Sequence, residues 1–356
     1  MSDILFKNVR VVDGTGAPWF RGEVLIKDGV IAAVAKKAEG CTSRVIDGKG
    51  LVLAPGFIDS HSHSDTEWFT DQRGESKIRQ GVTTEVTGQC GESAAPLNRE
   101  KLGDGQAAGD SAGNVGGSDA GGAPGSDSGE SGVGDTVGGA TSISGAASDR
   151  ASLPIWSSFD EYLSALSSNG LGVNLASLVG HGTIRIAAMG YDDRPPTSDE
   201  LTRMKEYMKE AMEAGAFGFS SGLIYPPGSY ASTDGLVELA RVMAPYGGIY
   251  ATHMRDEDLA LLKSVKEAIE IGSRAGVSVH ISHHKVCAKH AWGQVNASLA
   301  MIDEARRNGI DVTADQYPYV ATATGLSSIV PSWAHDGGPK ALLARLKDPV
   351  TGAALK

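Results

Sequence analysis

Apolar and polar residues alternate in short runs from Ile4 to about Val52, in ILFKNVRVVDGTG, GEVLIKDGVIAAVAK and SRVIDGKGLVLAP. Asp-Gly and Gly-Lys-Gly steps break these runs, so the pattern predicts β-hairpins and a small β-sandwich part over residues 1–55. After Pro55 the texture changes to compact apolar runs followed by stretches of helical spacing, the sign of parallel βαβ units. Strands are expected near Gly56–His63, Thr84–Gly88, Gly172–Gly180, Ala216–Ser220, Gly248–His253, Val277–His283 and Ile310–Gln316. Helices are expected at Ser198–Ala214, Thr233–Ala244, Leu259–Ala275 and Gln294–Asn308. Thr197-Ser198-Asp199-Glu200 opens the first of these with capping residues, and Ala275-Gly276 and Asn308-Gly309 offer left-handed stops. The fold class is therefore α/β, with residues 56–356 forming an incomplete (β/α)8-type barrel whose eighth strand is missing from this chain.

Residues 102–150 interrupt that order with Gly, Ser, Ala and Asp and no aromatic side chain. Such a composition buries too little surface to offset the entropy of ordering, which predicts a flexible surface insertion. It also carries seven acids against one base, Arg150, and so supplies more than half of the formal net charge of -11. The remainder is mildly acidic and has no Lys/Arg cluster, which argues against nucleic acid or an anionic membrane as partner and for a small-molecule substrate. The N-terminus lacks a basic region followed by an apolar one, and no apolar run is long enough to span a bilayer, so a cytoplasmic location is expected. Three widely spaced cysteines, Cys41, Cys90 and Cys287, do not resemble a disulfide framework. Cys41 and Cys287 read as inert buried thiols.

The residues that carry chemistry fall where barrel enzymes keep theirs, at the C-terminal ends of strands. His61 and His63 in GFIDSHSHSD are two apart on an extended segment, so both imidazoles leave one face and can reach one ion. Cys90 follows its strand in the glycine-flanked turn TGQCG. His253 ends the run IYATH, and His283 ends VSVHISH, with His284 competing for the same role because spacing alone does not choose between neighbours. Sulfur with two imidazoles suits zinc, and three protein ligands leave a position open for catalysis. His181 lies at another strand end as a candidate substrate or supporting group. His280, inside its strand, reads as a packed core histidine.

The motifs PGFIDSHSHSD, TGQCG, GLIYPPG, YATHMRDE, ISHHK and DQYPY together resemble the N-acyl-D-amino-acid deacylase (D-aminoacylase) branch of the amidohydrolase superfamily, from about residue 3 to residue 330. The cysteine after the second strand, in place of the carboxylated lysine of hydantoinase-like relatives, is characteristic of that branch. The resemblance implies a tight zinc site of Cys90, His253 and His283, with His61 and His63 forming a weaker second site. It implies that Tyr225, Lys285 and Tyr317 line the pocket, with Lys285 suited to a substrate carboxylate. The implied reaction is hydrolysis of the linear amide of an N-acylated D-amino acid, releasing a carboxylate and a D-amino acid.

Two departures stand out. Relatives carry a serine in the loop after YPY, where this chain has Ala323, with Thr322 and Thr324 as neighbouring substitutes. The family's general-base aspartate and a substrate-binding arginine are expected beyond Lys356, which predicts activity impaired at least ~10²-fold for this polypeptide. The competing expectations are another amidohydrolase, acting on D-aminoacyl dipeptides or cyclic amides, and a catalytically inactive zinc-binding homologue.

Overall fold

The computed structural model describes residues 3–40, 42, 44–102 and 153–355. Cys41 and residues 103–150 of the Gly/Ser-rich stretch lie outside them. The chain divides into two compact units, residues 1–58 with 80–83 and residues 59–79 with 84–356.

In the first unit β1 (Ile4–Val11), β2 (Phe20–Lys27), β3 (Val30–Ala35), β4 (Arg44–Asp47) and β5 (Val52–Leu53) form one mixed sheet. β2 pairs antiparallel with both β1 and β3, and the β2–β3 hairpin turns on Asp28 and Gly29, both at positive φ as a two-residue hairpin turn requires. SRVIDGKGLVLAP is not a hairpin, contrary to expectation. β4 and β5 lie one after the other along β1, both parallel to it, with Ile4–Lys7 facing Arg44–Asp47 and Arg10–Val11 facing Val52–Leu53. Alternation reports which face a side chain occupies and is the same for either strand direction, so it could not reveal this pairing. Leu5 and Leu25 bury one patch of this sheet, and Val9, Val11 and Val24 another.

The second sheet has the order β12-β11-β10-β9-β8-β7-β6. Its strands are β6 (Phe57–Asp59), β7 (Val82–Thr87), β8 (Asn174–Gly180), β9 (Gly218–Gly222), β10 (Ile249–His253), β11 (Ser278–Ile281) and β12 (Val312–Ala314). All neighbouring pairs from β7 to β12 are parallel, which explains why β9 is buried along its whole length and carries no polar-out positions. The helices are α1 (Glu75–Ile78), α2 (Phe159–Asn169), α3 (His181–Met189), α4 (Ser198–Ala214), α5 (Thr233–Met243), α6 (Leu261–Ala275), α7 (Gln294–Arg307), α8 (Gly338–Lys347) and α9 (Pro349–Ala354). Among the described residues no helix is long and apolar enough to cross a membrane.

The four expected helices sit where the sequence patterns them, as α4 to α7. α4 begins at a complete capping box, with Thr197 Oγ1 accepting from the Glu200 N–H and the Glu200 carboxylate accepting from the Thr197 N–H. It stops at Gly215, a left-handed position that L side chains resist. In α6 the buried positions Leu261, Val265, Ala268, Ile271 and Ala275 recur every three or four residues, so one stripe faces the sheet. Burying Leu261, Val265 and Ile271 completely contributes roughly 1.5–3 kcal/mol each, which makes a charged residue at Val265 the simplest way to detach this helix. Helices α4 to α7 pack in succession, each on the next, and their apolar stripes share one core with Val179, Phe219, Tyr250 and Val279 of the strands.

Several strands end sooner than expected. β6 stops at Asp59, β11 at Ile281 and β12 at Ala314, so the polar residues that follow are released from the ladder and turn over the strand tips.

Candidate metal centre

Cys90 is placed by backbone packing. After β7 the turn Gly88-Gln89-Cys90-Gly91 holds Gly88 at φ +72°, Cys90 at +54° and Gly91 at +80°. A Cβ on Gly88 would lie 1.9 Å from the carbonyl oxygen of Leu178, and one on Gly222 would lie 2.0 Å from that of Cys90. Only glycine permits these approaches, so the turn rests directly on the backbones of β8 and β9. The buried hydroxyl of Ser220 clamps it, accepting from the Gly91 N–H at 3.0 Å and donating to the Gly88 carbonyl.

Three imidazoles meet that sulfur. His61 Nε2 is 3.4 Å from Cys90 Sγ, His283 Nε2 3.5 Å and His253 Nδ1 3.6 Å. His253 is the last residue of β10, whereas His61 and His283 each lie two residues past a strand. This corrects the expectation that His61 and His63 leave one face of a strand: both sit in the loop after β6, with His63 exposed and its ring centroid 5.3 Å from that of His61. His283 has φ +38° and is likewise not a strand residue; its backbone N–H donates to Asp315 Oδ1 at 2.5 Å. His284 turns away from the sulfur, with Nε2 2.9 Å from Ser298 Oγ on α7.

Two acids that the sequence reading passed over stand around these rings. Glu257 Oε1 is 2.8 Å from His283 Nδ1, and Oε2 is 2.5 Å from Lys285 Nζ. Asp315 Oδ2 is 2.7 Å from His280 Nε2 and 3.4 Å from His61 Nδ1. His280 is therefore no packed core histidine; it hydrogen-bonds an acid beside the site, and its Nδ1 lies 2.8 Å from Thr313 Oγ1. The only sequence signals were Glu257 four residues after His253 in THMRDE and Asp315 at the head of DQYPY.

Burial pushes Glu257 upward, but the hydrogen bond from His283 and its electrostatic interactions with the neighbouring imidazoles and Lys285 bring it down to about 2. Asp315 is held below the usual carboxylate range in the same way, burial being outweighed by His280, His61 and the His283 N–H. His253 is pressed down to about 3 by burial, against the pull of Glu257, so it is a neutral imidazole with a lone pair to offer. The Cys90 thiol is raised well above its ordinary range, by burial first and then by Glu92, Glu257 and Asp315.

These residues fit a borderline-soft divalent cation. A thiol has one proton, yet Cys90 faces three ring nitrogens, and the ligand atoms of His61, Cys90 and His283 lie within 4.8 Å of one another. A cation amid sulfur and imidazole would use lone pairs that a single proton cannot satisfy, and its charge would offset the burial and the acids that now oppose a thiolate.

Tyr225 and Lys285 stand beside the same centre, and Tyr317 adjoins Lys285. The Tyr225 ring is edge-on to His253 at 4.7 Å between centroids, and its hydroxyl is 2.8 Å from Thr324 Oγ1, one of the two threonines beside Ala323. Lys285 Nζ lies 5.7 Å from the Tyr317 ring centroid. His181 is buried, edge-on to Phe219, and lines a cavity of about 50 Å³ with Arg185 and Tyr230. Cys287 corrects another expectation: it is exposed rather than buried, with Sγ 3.9 Å from Glu257 Oε2.

Residues 44–315 match the sequence profile of the amidohydrolase family. The chain belongs to that family. D-aminoacylase of Alcaligenes xylosoxydans xylosoxydans is 35% identical to this amidohydrolase over 324 residues, which are 91% of the chain and 59% of the relative. The crystal structure of N-acyl-D-glutamate deacylase from Bordetella bronchiseptica, complexed with zinc and a phosphonate mimic of the tetrahedral intermediate, superposes with a TM-score of 0.72. It is 33% identical, and the match covers 89% of this chain and 59% of that one. A D-aminoacylase structure described with a binuclear metal centre gives a TM-score of 0.71 at 35% identity, covering 90% and 59%. The amidohydrolase thus spans about three-fifths of the length of these relatives, and its parallel sheet and separate N-terminal mixed sheet are those of their barrel fold.

Proposed function

We propose that this amidohydrolase is a zinc-dependent hydrolase of the linear amide bond of N-acyl-D-amino acids. One observation carries the reading: the sulfur of Cys90 lies 3.4–3.6 Å from nitrogens of His61, His253 and His283, brought together from four strand ends. Relatives named for D-aminoacylase and N-acyl-D-glutamate deacylase activity, one of them complexed with zinc, supply the substrate class. As a domain division, this reading takes residues 1–55, which hold the mixed sheet, as the β-sandwich part and residues 56–356 as the incomplete catalytic barrel.

Cys90, His253 and His283 would hold the tight ion, with His61 and His63 beside them for a weaker second one. When bound, zinc supplies Lewis acidity that polarises an amide carbonyl and makes water a nucleophile near neutral pH. The rest falls to this chain's own side chains. His253 presents a neutral nitrogen and His283 a second imidazole, Tyr225 and Tyr317 give the pocket aromatic walls, and Lys285 offers its ammonium to a substrate carboxylate. Because Lys285 already pairs with Glu257, a carboxylate must share that ammonium rather than find it free. This favours a substrate whose own charge reaches Nζ without displacing Glu257.

The test combines metal analysis with a panel of N-acetyl D- and L-amino acids, D-aminoacyl dipeptides and hydantoins. Tightly retained zinc that Cys90→Ser abolishes, with cleavage confined to N-acyl-D-amino acids, is the expected result. Zinc retention unaffected by Cys90→Ser, or faster turnover of a cyclic amide than of any N-acyl-D-amino acid, would refute the reading.

A further inference from the structure

Glu257 stands behind the histidines instead of among the groups that face the sulfur. Its carboxylate meets His283 at Nδ1 (2.8 Å) and approaches His253 at Nε2 (3.6 Å), while Cys90 meets the opposite nitrogens, His283 Nε2 and His253 Nδ1. Its second oxygen holds Lys285 Nζ at 2.5 Å. The side chain is only 6% exposed, and its backbone carbonyl accepts from the Cys287 N–H at 2.9 Å, which ties the loop after β10 to the segment that carries His283 and Lys285. An ionised carboxylate has no proton to give, so the Glu257–His283 contact requires hydrogen on Nδ1. Nε2 then keeps its lone pair and aims it at the sulfur side.

Resting on the metal reading above, we infer that Glu257 is the positioning residue of the centre: it fixes His283 as the Nδ1–H tautomer, steadies the outer edge of His253, and anchors Lys285 at the rim. It is not a ligand of an ion at Cys90, because one oxygen receives His283 at Nδ1, the ring edge opposite the sulfur, and the other holds Lys285. A competing arrangement exists in the same geometry. Lys285 Nζ is also 3.0 Å from His283 Nδ1, and were it to donate there, the imidazole proton would move to Nε2 and block the cation. The carboxylate prevents this by occupying the ammonium and accepting from Nδ1. Residues that orient a metal-binding histidine in this way are worth about 10- to 100-fold in metal affinity.

The tautomer is read directly by long-range ¹⁵N–¹H correlation spectra of the metal-free chain, with His283→Gln used for assignment. Zinc affinity is measured by competition with a chromophoric chelator. His283 is expected as Nδ1–H in the unaltered protein and as Nε2–H or a mixture in Glu257→Ala, with affinity lower by about 10- to 100-fold. Glu257→Gln, whose amide oxygen still accepts from Nδ1, should recover most of that loss, which a general loosening of the loop would not do. An Nε2–H His283 in the unaltered protein, or equal zinc affinity in Glu257→Ala, overturns the inference. The spectrum of the unaltered protein decides even if both variants misfold. Absence of zinc binding alongside an Nδ1–H His283 would instead sink the metal reading and leave the positioning role standing.

Discussion

Ser220→Ala is the most direct probe of how the cysteine turn is held. The hydroxyl is fully buried and serves two backbone groups at once, the Gly91 N–H and the Gly88 carbonyl on either side of Cys90. Alanine fits the space but leaves one donor and one acceptor without that partner. Each buried group left unsatisfied costs about 1–3 kcal/mol, so after relaxation of the turn the loss should be about 2–4 kcal/mol. Urea unfolding followed by circular dichroism measures it as a lower midpoint at unchanged slope. Because the same hydroxyl positions the sulfur, modification of Cys90 by a disulfide reagent under native conditions should also accelerate. Ser221→Ala is the control: this hydroxyl bonds two side-chain hydroxyls, Tyr250 Oη and Thr252 Oγ1, which can still pair, so it should cost only about 1 kcal/mol and leave Cys90 reactivity unchanged. A loss below about 0.5 kcal/mol in Ser220→Ala, with thiol reactivity unaltered, would show that the glycine packing alone fixes the turn.

Two further outcomes follow from buried charge. Lys77 Nζ lies 2.6 Å from both Asp59 and Glu85, and Glu85 is fully buried, so Lys77→Met should destabilise by about 3–5 kcal/mol by leaving that carboxylate uncompensated. Adding Glu85→Gln should restore much of the loss, and a single variant within about 1 kcal/mol of the parent in urea would contradict this. Burial lowers His181 from 6.5 to about 3, so the fold favours the neutral ring; its contribution is complete above the unfolded value of 6.5 and is lost as pH falls toward the folded value of about 3. Between about pH 7.5 and about pH 5 this amounts to about 2 kcal/mol, and His181→Gln should flatten the measured stability–pH curve by that much; an unchanged slope would show that the ring is not the group titrating.

What could be read from the sequence was what periodicity and capping encode. Helix α4 begins where Thr197–Glu200 mark it and spans the expected Ser198–Ala214, and β10 ends at His253 as its apolar run does. The strands were drawn too long wherever polar site residues follow them, because His61 and His283 adopt loop conformations to reach inward and nothing in a local pattern distinguishes a strand's last residue from the first of such a loop. Glu257 and Asp315 were invisible for a different reason. Their roles depend on partners 26 and 35 residues away, and an isolated acid in a loop reads as solvated until folding supplies its imidazole. The parallel addition of β4 and β5 to β1 escaped because strand direction leaves no trace in alternation.

The distance along the chain between Cys90 and its farthest imidazole has a consequence in time. His283 is 193 residues downstream of the cysteine. At a synthesis rate of about 5–20 residues per second, the ribosome reaches it some 10–40 seconds after the thiol has been made. For most of that interval β10 has not been made, and β11 is completed only at its end, so the sulfur lacks the shelter these strands later give it.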